Sequence, residues 1–175
     1  VRCGCCEGTD VPGLGYSVCS ERGYLPDVLE PLVEHRAALK AARRETDDPV
    51  ERDRLSGRVD ALKWVLVACF GYQGFSNAKF GRIECHEAIN AHAREILLDA
   101  KDALEDGGWR VLHGIVDSLW VAGPGDRATL RDCLGRVSAA VDVPLEHEAA
   151  YDWVAFVPRR GHETGALTKY FGRRE

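Results

Sequence analysis

A single carboxylate, Asp117, stands inside "VLHGIVDSLWV", residues 111–121, a stretch that otherwise reads as buried strand. Desolvating an unpaired charge is costly unless a partner or a cation compensates it. Two readings meet that requirement. Asp117 is either a structural acid that caps a turn or pairs with Arg110, or a ligand for a hard divalent cation, since Mg²⁺ favours carboxylates and keeps waters and substrate phosphates as its other ligands. One carboxylate holds Mg²⁺ poorly, so a second would have to come from elsewhere in the fold or from outside this chain. Far upstream, Arg36 and Lys40 lie four residues apart, and Lys63 follows. Cations at that spacing emerge from one helical face on adjacent turns. Together they suit a polyanion such as a triphosphate, where Arg supplies a planar fork and Lys a point charge. Taken alone, a run of charges reads rather as a solvated, salt-bridged helix face.

The elements that must position these groups are legible in the periodicity. From Pro26 to Ala42, the residues Val28, Leu29, Leu32, Val33 and Leu39 recur at helical spacing. "TDDPVERD" then supplies a start signal, with Asp48 as N-cap, Pro49 at the first helical position and Glu51 three residues after the cap. Leu55, Val59, Leu62 and Leu66 continue a second helix. Two helices of about 20 residues joined by a short polar turn make an antiparallel hairpin roughly 30 Å long. "GYQGFSNAKFG" interrupts the pattern, and a third helix follows from about Glu84 to Glu105, ended by Asp106, Gly107 and Gly108. The period then changes to two, predicting a strand, a tight turn and a second strand, with Asp117 close to the turn. A fourth helix with Leu130, Leu134, Val137 and Val141 inward comes next, and then three short strands through "VPLEHEAAYDWVAFVP" and "ALTKYFG". The plan is α+β, with helices on one face of an antiparallel sheet.

Composition narrows the function classes. The 175 residues are 45% hydrophobic, enough for one ordinary core or parts of two small ones. No apolar run of 18 residues exists, which excludes a membrane-spanning helix. A net charge of -5 argues against a surface that binds nucleic acid everywhere, yet basic residues cluster between Arg36 and Arg58, so a local basic groove is allowed. Seven cysteines in a chain dominated by long helices and lacking a signal peptide point to a reducing cytoplasm. With Val1 at its start and "GRRE" at its end, the chain reads as a fragment.

Four of the cysteines, Cys3, Cys5, Cys6 and Cys19, share one glycine-rich segment. Their thiolates form a candidate Zn²⁺ site, although Cys-x-Cys-Cys is not the usual knuckle and no nearby histidine completes it. Cys69, Cys85 and Cys133 fall on helices and read as small buried hydrophobes. His35, His86, His92, His147 and His162 have no ligand-like spacing and read as surface or packing residues. The glycines of "GPGDRATL" belong to a loop and helix cap and lack the lysine of a phosphate-binding loop.

The succession "ERGYLPDVLEPLVEHRAALKAA", "RVDALKWVLVACFGYQGFSNAKFGRIECHEAINAHAREIL", "GWRVLHGIVDSLWV" and "ALTKYFG" resembles family B DNA polymerases, in order and spacing, from about Gly13 to Gly172. Its nearest flavour is a divergent archaeal branch. The resemblance implies a partial polymerase fold: an antiparallel palm sheet with packed helices and a protruding two-helix fingers hairpin. Residues 1–24 become a cysteine-containing palm segment, 25–70 the fingers hairpin, 71–157 the palm with its metal-binding β-hairpin, and 158–175 the start of the thumb.

By the same resemblance Arg36 and Lys40 hold the triphosphate of the incoming nucleotide. The family motif Lys-x-x-x-Asn-Ser-x-Tyr-Gly is met by "KWVLVACFG", which keeps Lys63 and Gly71 but has Val67, Ala68 and Phe70 for Asn, Ser and Tyr. Weaker or less discriminating nucleotide binding is the expectation. The metal hairpin Tyr-Gly-Asp-Thr-Asp-Ser is met by His113, Gly114, Ile115, Val116, Asp117 and Ser118, so Asp117 keeps the shared metal-ligand position while Ile115 replaces the less direct one. Tyr72, Lys79 and Arg82 fall near the implied DNA path, a structural role in the palm being the other reading of the two cations. Lys169 and Tyr170 match the end of a Lys-Lys-Arg-Tyr motif that grips primer-template, and an ordinary edge strand is the alternative there.

The function so implied is DNA-directed DNA polymerisation in replication or repair, a nucleotidyl transfer using two Mg²⁺ ions, with primer-template DNA and deoxynucleoside triphosphates as partners. A sliding clamp would be met through parts not present, no membrane is involved, and the setting is the cytoplasm at the nucleoid. An aspartate-bearing strand motif should precede Val1, and without it the fragment alone is expected to be inactive. Ile115, Val67 and Phe70 motivate the alternative: a polymerase-derived, inactive protein that binds DNA or scaffolds a replication complex.

Overall fold

The structure, a computed structural model, describes residues 6–123, 127–161 and 164–174. The elements run β1 (Thr9–Asp10), β2 (Ser17–Val18), α1 (Tyr24–Glu45), α2 (Pro49–Gln73), α3 (Ile83–Asp106), β3 (Arg110–Ile115), β4 (Ser118–Ala122), α4 (Arg127–Val141), β5 (Tyr151–Pro158) and β6 (Gly165–Arg174). Helices and antiparallel strands are thus both present, as expected. The strands pair as three separate two-stranded antiparallel ladders, β1–β2, β3–β4 and β5–β6.

The chain divides into two compact units, Val1–His92 and Ala93–Glu175, the division falling within α3. In the first, α1 and α2 form the expected hairpin. Asp48 caps α2, its Oδ1 accepting from the Val50 N–H at 3.0 Å, with Pro49 directly after the cap. Glu51 does not close a capping box but pairs with Arg54 at 2.6 Å. Between the helices Leu39, Leu55 and Val59 are buried, with Leu62 beside them. Only part of the predicted apolar stripe of α1 is covered: Val28 and Val33 remain 55% and 52% exposed, because α2 shields one strip of the helix rather than its whole apolar arc. A second small core joins Val11 on the β1–β2 segment to Ala88 and Ala91 of α3, and the Tyr16 hydroxyl donates to the Glu84 carbonyl at 2.8 Å.

The second unit is built around Ala100, Leu104, Trp109, Cys133 and Val137, with Leu130, Leu134 and Val141 packed against them. The inward face predicted for α4 is therefore the face it buries, and Cys133 is a core residue. Trp109 fits only because residue 123 has no side chain: a β-carbon on Gly123 would stand 2.7 Å from the Trp109 Cδ2.

Two details of the predicted strands are corrected. The tail forms two strands, not three, because the segment around Pro144 is irregular. Proline has no N–H for a ladder, and the next N–H, that of Leu145, is taken by the Ser138 hydroxyl at 2.9 Å. Further upstream, Gly114 lies within β3 opposite Leu119, and the turn is Val116–Asp117, flanked by the pair Ile115 and Ser118. Asp117, expected close to the turn, thus lies in it, and the period-two pattern of the two strands is broken there.

Candidate functional site

Asp117 occupies the second position of this two-residue turn, and it is exposed. Val116 before it is 89% exposed and has φ 55, the left-handed backbone that primed hairpin turns require. The apolar surroundings in sequence are thus not surroundings in space. At the tip the carboxylate is open to solvent, and among the described residues the Ser118 hydroxyl donates to it, 3.4 Å from Oδ1. Arg110 sits at the far end of β3, opposite Ala122, so the sequence-level pairing of Arg110 with Asp117 does not occur. An exposed carboxylate fits a hard cation as one of its ligands. Among the described residues no group of three histidine, cysteine, aspartate or glutamate side chains gathers to complete such a site.

The hairpin carrying Asp117 is held by aromatic contacts within its unit. Trp120 of β4 lies 5.3 Å from Tyr151 and 4.8 Å from Tyr170, centroid to centroid, while His113 of β3 lies 4.7 Å from Phe156. Tyr170 therefore packs its ring against the hairpin, with 42% of the residue still exposed. Lys169, its neighbour, lines an open cleft at the β5–β6 end of the unit.

In the other unit the α1–α2 hairpin sets the three cations. Arg36 is half-buried, and its Nε donates to the carbonyl of Val59, 3.3 Å away and itself 2% exposed. That bond fixes the register of the two helices at this level. Since the helices are antiparallel, Lys63 stands about one turn from this level along α2 and Lys40 one turn along α1, roughly 6 Å each way. The order along the hairpin is Lys63, Arg36, Lys40. Lys40 is half-buried and Lys63 exposed. Two further ties, Arg43 Nη1 to Ser56 Oγ at 3.3 Å and Arg58 Nη2 to His35 Nε2 at 3.2 Å, brace the same pair of helices.

Phe70, near the end of α2, stacks on His86 of α3 with centroids 4.4 Å apart and planes at 27°, and the His86 Nδ1 lies 3.3 Å from the Phe70 carbonyl. His86 is thus a packing residue that orients Phe70. Tyr72 is 64% exposed and contacts Phe75. Lys79 places its Nζ 5.4 Å from the Phe80 ring. Arg82 is exposed, and its carbonyl receives the N–H groups of Cys85 and His86 as α3 begins.

Of the four cysteines in the amino-terminal segment, Cys3 and Cys5 lie outside the described residues. Cys6 and Cys19 approach to 3.2 Å, sulfur to sulfur, whereas two thiolates on a tetrahedral zinc with 2.3 Å bonds stand roughly 3.8 Å apart. Hydrogen bonds from Ser20, and secondarily from Cys19, pull the Cys6 thiol down to about 6. The hydrogen bond with Cys6 pushes the Cys19 thiol the other way. Sequence reasoning missed this pairing, the stacking of His86 on Phe70 and the aromatic packing around Trp120. The aromatic residues Trp120, Tyr151, Phe156 and Tyr170, carried on β4, β5 and β6, were the available signal for the last.

Residues 9–122 match the family model for DNA polymerase family B. DNA polymerase 2 of Saccharolobus solfataricus is 34% identical over 156 residues, covering 89% of this chain and 22% of that protein. DNA polymerase 1 of Pyrococcus abyssi is 33% identical over 122 residues, 69% of this chain and 16% of that protein. Among solved structures, the family B DNA polymerase of the hyperthermophilic archaeon Pyrobaculum calidifontis superposes with a TM-score of 0.64 at 30% identity, over 89% of this chain and 20% of that one. The chain spans about a fifth of the length of these relatives. Its helices, its antiparallel hairpins and the match across residues 9–122 agree: the chain belongs to DNA polymerase family B.

Proposed function

We propose that this chain works as the fingers, the palm and the start of the thumb of a DNA-directed DNA polymerase, adding deoxynucleotides to a primer 3′-hydroxyl. The observation that carries the reading is the exposed carboxylate of Asp117 at the tip of a two-residue turn. It is joined by the Lys63, Arg36, Lys40 series along the α1–α2 hairpin.

In this reading Asp117 holds Mg²⁺ with a second carboxylate supplied from outside this chain. When bound, two such ions lower the pKa of the attacking hydroxyl and steady the leaving pyrophosphate. The chain's own residues do the rest. Arg36, braced on the Val59 carbonyl, and Lys40 and Lys63 offset triphosphate charge. Phe70, fixed by His86, offers a ring face near the nucleotide in place of the family tyrosine. Tyr72, Lys79, Arg82, Lys169 and Tyr170 meet primer-template DNA, a sliding clamp engages parts of the protein beyond this chain, and the work is done in the cytoplasm at the nucleoid. The domain division at residues 24, 70 and 157 belongs to this reading. So does the candidate zinc site at Cys3, Cys5, Cys6 and Cys19.

A second reading has its own support. Ile115 in place of the first hairpin acid, and Val67 and Phe70 in place of asparagine and tyrosine, fit a polymerase-derived protein that binds DNA or scaffolds a complex without catalysis. Primer extension by the full-length protein that carries this chain separates the two. The enzyme reading expects extension that Asp117→Asn abolishes and that Arg36→Ala slows through a nucleotide KM raised roughly tenfold to a hundredfold, the loss of a charged hydrogen bond. A folded, DNA-binding parent that extends no primer overturns it in favour of the scaffold.

A further inference from the structure

Phe70 stands seven residues after Lys63 on α2. Seven residues bring a helix back to nearly the same face about 10 Å further along, so the two share one side of α2 with Val67 between them. A nucleotide held by its phosphates at Lys63 lays its sugar and base along that side, toward Phe70. The phenyl ring has no hydroxyl with which to locate itself, and it is located from α3 instead. The imidazole of the half-buried His86 stacks on it, centroids 4.4 Å apart and planes at 27°. A carbonyl only accepts, so the His86 Nδ1, 3.3 Å from the Phe70 carbonyl oxygen, is the donor of that bond. This oxygen is one of the last four of α2, which ends at Gln73, and the Gly74 N–H that would ordinarily reach it turns to the carbonyls of Gly71 and Tyr72. His86 thus closes the last turn of α2 from outside the helix.

Gly74 makes room for the imidazole. Its φ of -80 and ψ of -5 are right-handed backbone open to any residue, so the turn itself does not call for glycine. A β-carbon there would stand 3.2 Å from the His86 Cγ and 3.3 Å from its Nδ1, and the ring would have to shift. His86 is in turn anchored on α3. Its N–H bonds to the Arg82 carbonyl, its own carbonyl accepts from the Asn90 side chain at 2.9 Å, and Ala88 and Ala91 just beyond it are buried against Val11.

We propose that His86 is a positioning residue for nucleotide selection, the group that holds the Phe70 ring at one tilt and one height beside the incoming base. It acts through Phe70 and not by contact with the nucleotide. The proposal rests on the polymerase reading and goes beyond it, giving a histidine of α3 control over the shape of the nucleotide site. A ring that tilts freely accommodates a mispaired base, whereas a ring pinned at one face and at its own backbone excludes it by clash.

The test is single-nucleotide insertion by the full-length protein, with a pairing and a mispairing deoxynucleoside triphosphate opposite one template base. His86→Ala removes ring and donor together. It is expected to raise the KM of the pairing nucleotide roughly tenfold, the scale of one stacked pair and one hydrogen bond, with kcat and primer-template affinity close to those of the parent. Discrimination, the ratio of kcat/KM for pairing over mispairing, should fall by a similar factor. His86→Phe keeps a stacked ring and is expected to recover most of that loss. Gly74→Ala retains the imidazole but crowds it, and should shift KM and discrimination in the same direction without lowering the thermal midpoint, since alanine suits this backbone better than glycine. It carries the test if His86→Ala does not fold. Either variant with the parent's KM and discrimination overturns the assignment, and so does His86→Ala if its kcat, DNA affinity and thermal midpoint all fall together, as for a merely structural residue. A His86→Phe enzyme no better than His86→Ala overturns stacking as the means. In each of these cases the parent extends primers and the polymerase reading stands; a parent that extends none overturns both.

Discussion

The Nε2 of His113 lies 3.1 Å from the carbonyl oxygen of Leu167. A carbonyl only accepts, so the imidazole donates from Nε2. Leu167 has its carbonyl available because it lies where β6 loses its one-to-one register with β5, between the pairs Phe156–Tyr170 and Pro158–Gly165, and His113 lies within β3, the strand that leads to the turn at Asp117. One hydrogen bond thus ties the strand bearing the carboxylate to the strand bearing Lys169. Replacing His113 by Phe keeps an aromatic ring against Phe156 but removes the donor. The expected cost is about 1 kcal/mol, the usual net worth of such a bond. Urea unfolding of the full-length protein measures it, and an unchanged midpoint would mean that water substitutes fully for the imidazole.

Val116 is a β-branched residue held at φ 55, a backbone that L residues other than Gly, Asn and Asp adopt at a cost of roughly 1–2 kcal/mol. Val116→Asn is therefore expected to stabilise the protein by about 1 kcal/mol. Since the valine side chain is 89% exposed, it gives up little packing in exchange. Thermal unfolding should show a higher midpoint, and a fall would refute the strain.

Gly123 faces the Trp109 ring so closely that an added methyl group must displace it. Overpacking of this kind costs about 1–3 kcal/mol, and Gly123→Ala is expected to fall in that range. Blue-shifted tryptophan fluorescence from a buried indole is expected for the parent. A variant with both its midpoint and its spectrum intact would contradict the packing.

The thiol of Cys6 is drawn from its ordinary 9.0 to about 6, first by Ser20 and then by Cys19. Its thiolate is therefore the prevailing form at neutral pH. Alkylation of Cys6, followed by peptide mass mapping, should rise through a midpoint near pH 6, and Ser20→Ala should move that midpoint upward. Because the folded value lies below the unfolded one, the associated stability is complete above pH 9.0 and is lost as pH falls toward about 6. A midpoint close to that of a free thiol would exclude the hydrogen-bonded arrangement.

Much of this was legible in the residues, for physical reasons. Asp48, Pro49 and the helical spacing of Leu55, Val59 and Leu62 specify α2 locally, so its start appears in the structure where the sequence placed it. Leu134 and Val137 likewise point α4 inward. What failed was non-local. Ser138 captures the Leu145 N–H and cancels a strand that alternation alone predicted. The turn at Val116–Asp117 carries no glycine, asparagine or other conventional signal in its first position. For the candidate site, Arg36 and Lys40 were legible as a pair from their spacing, whereas the brace from Val59 to Arg36 depends on where a second helix lands. The register shift in β6, set by its pairing with β5, has no sequence mark.

The two-residue connection between Ile115 and Ser118 leaves no slack. One additional residue there would slide β4 past β3 and rotate Trp120 to the opposite side of the ribbon, away from Tyr151 and Tyr170. A change of length at this tip therefore carries a packing cost that an exchange of side chain at constant length, at Ile115 or Val116 alike, does not.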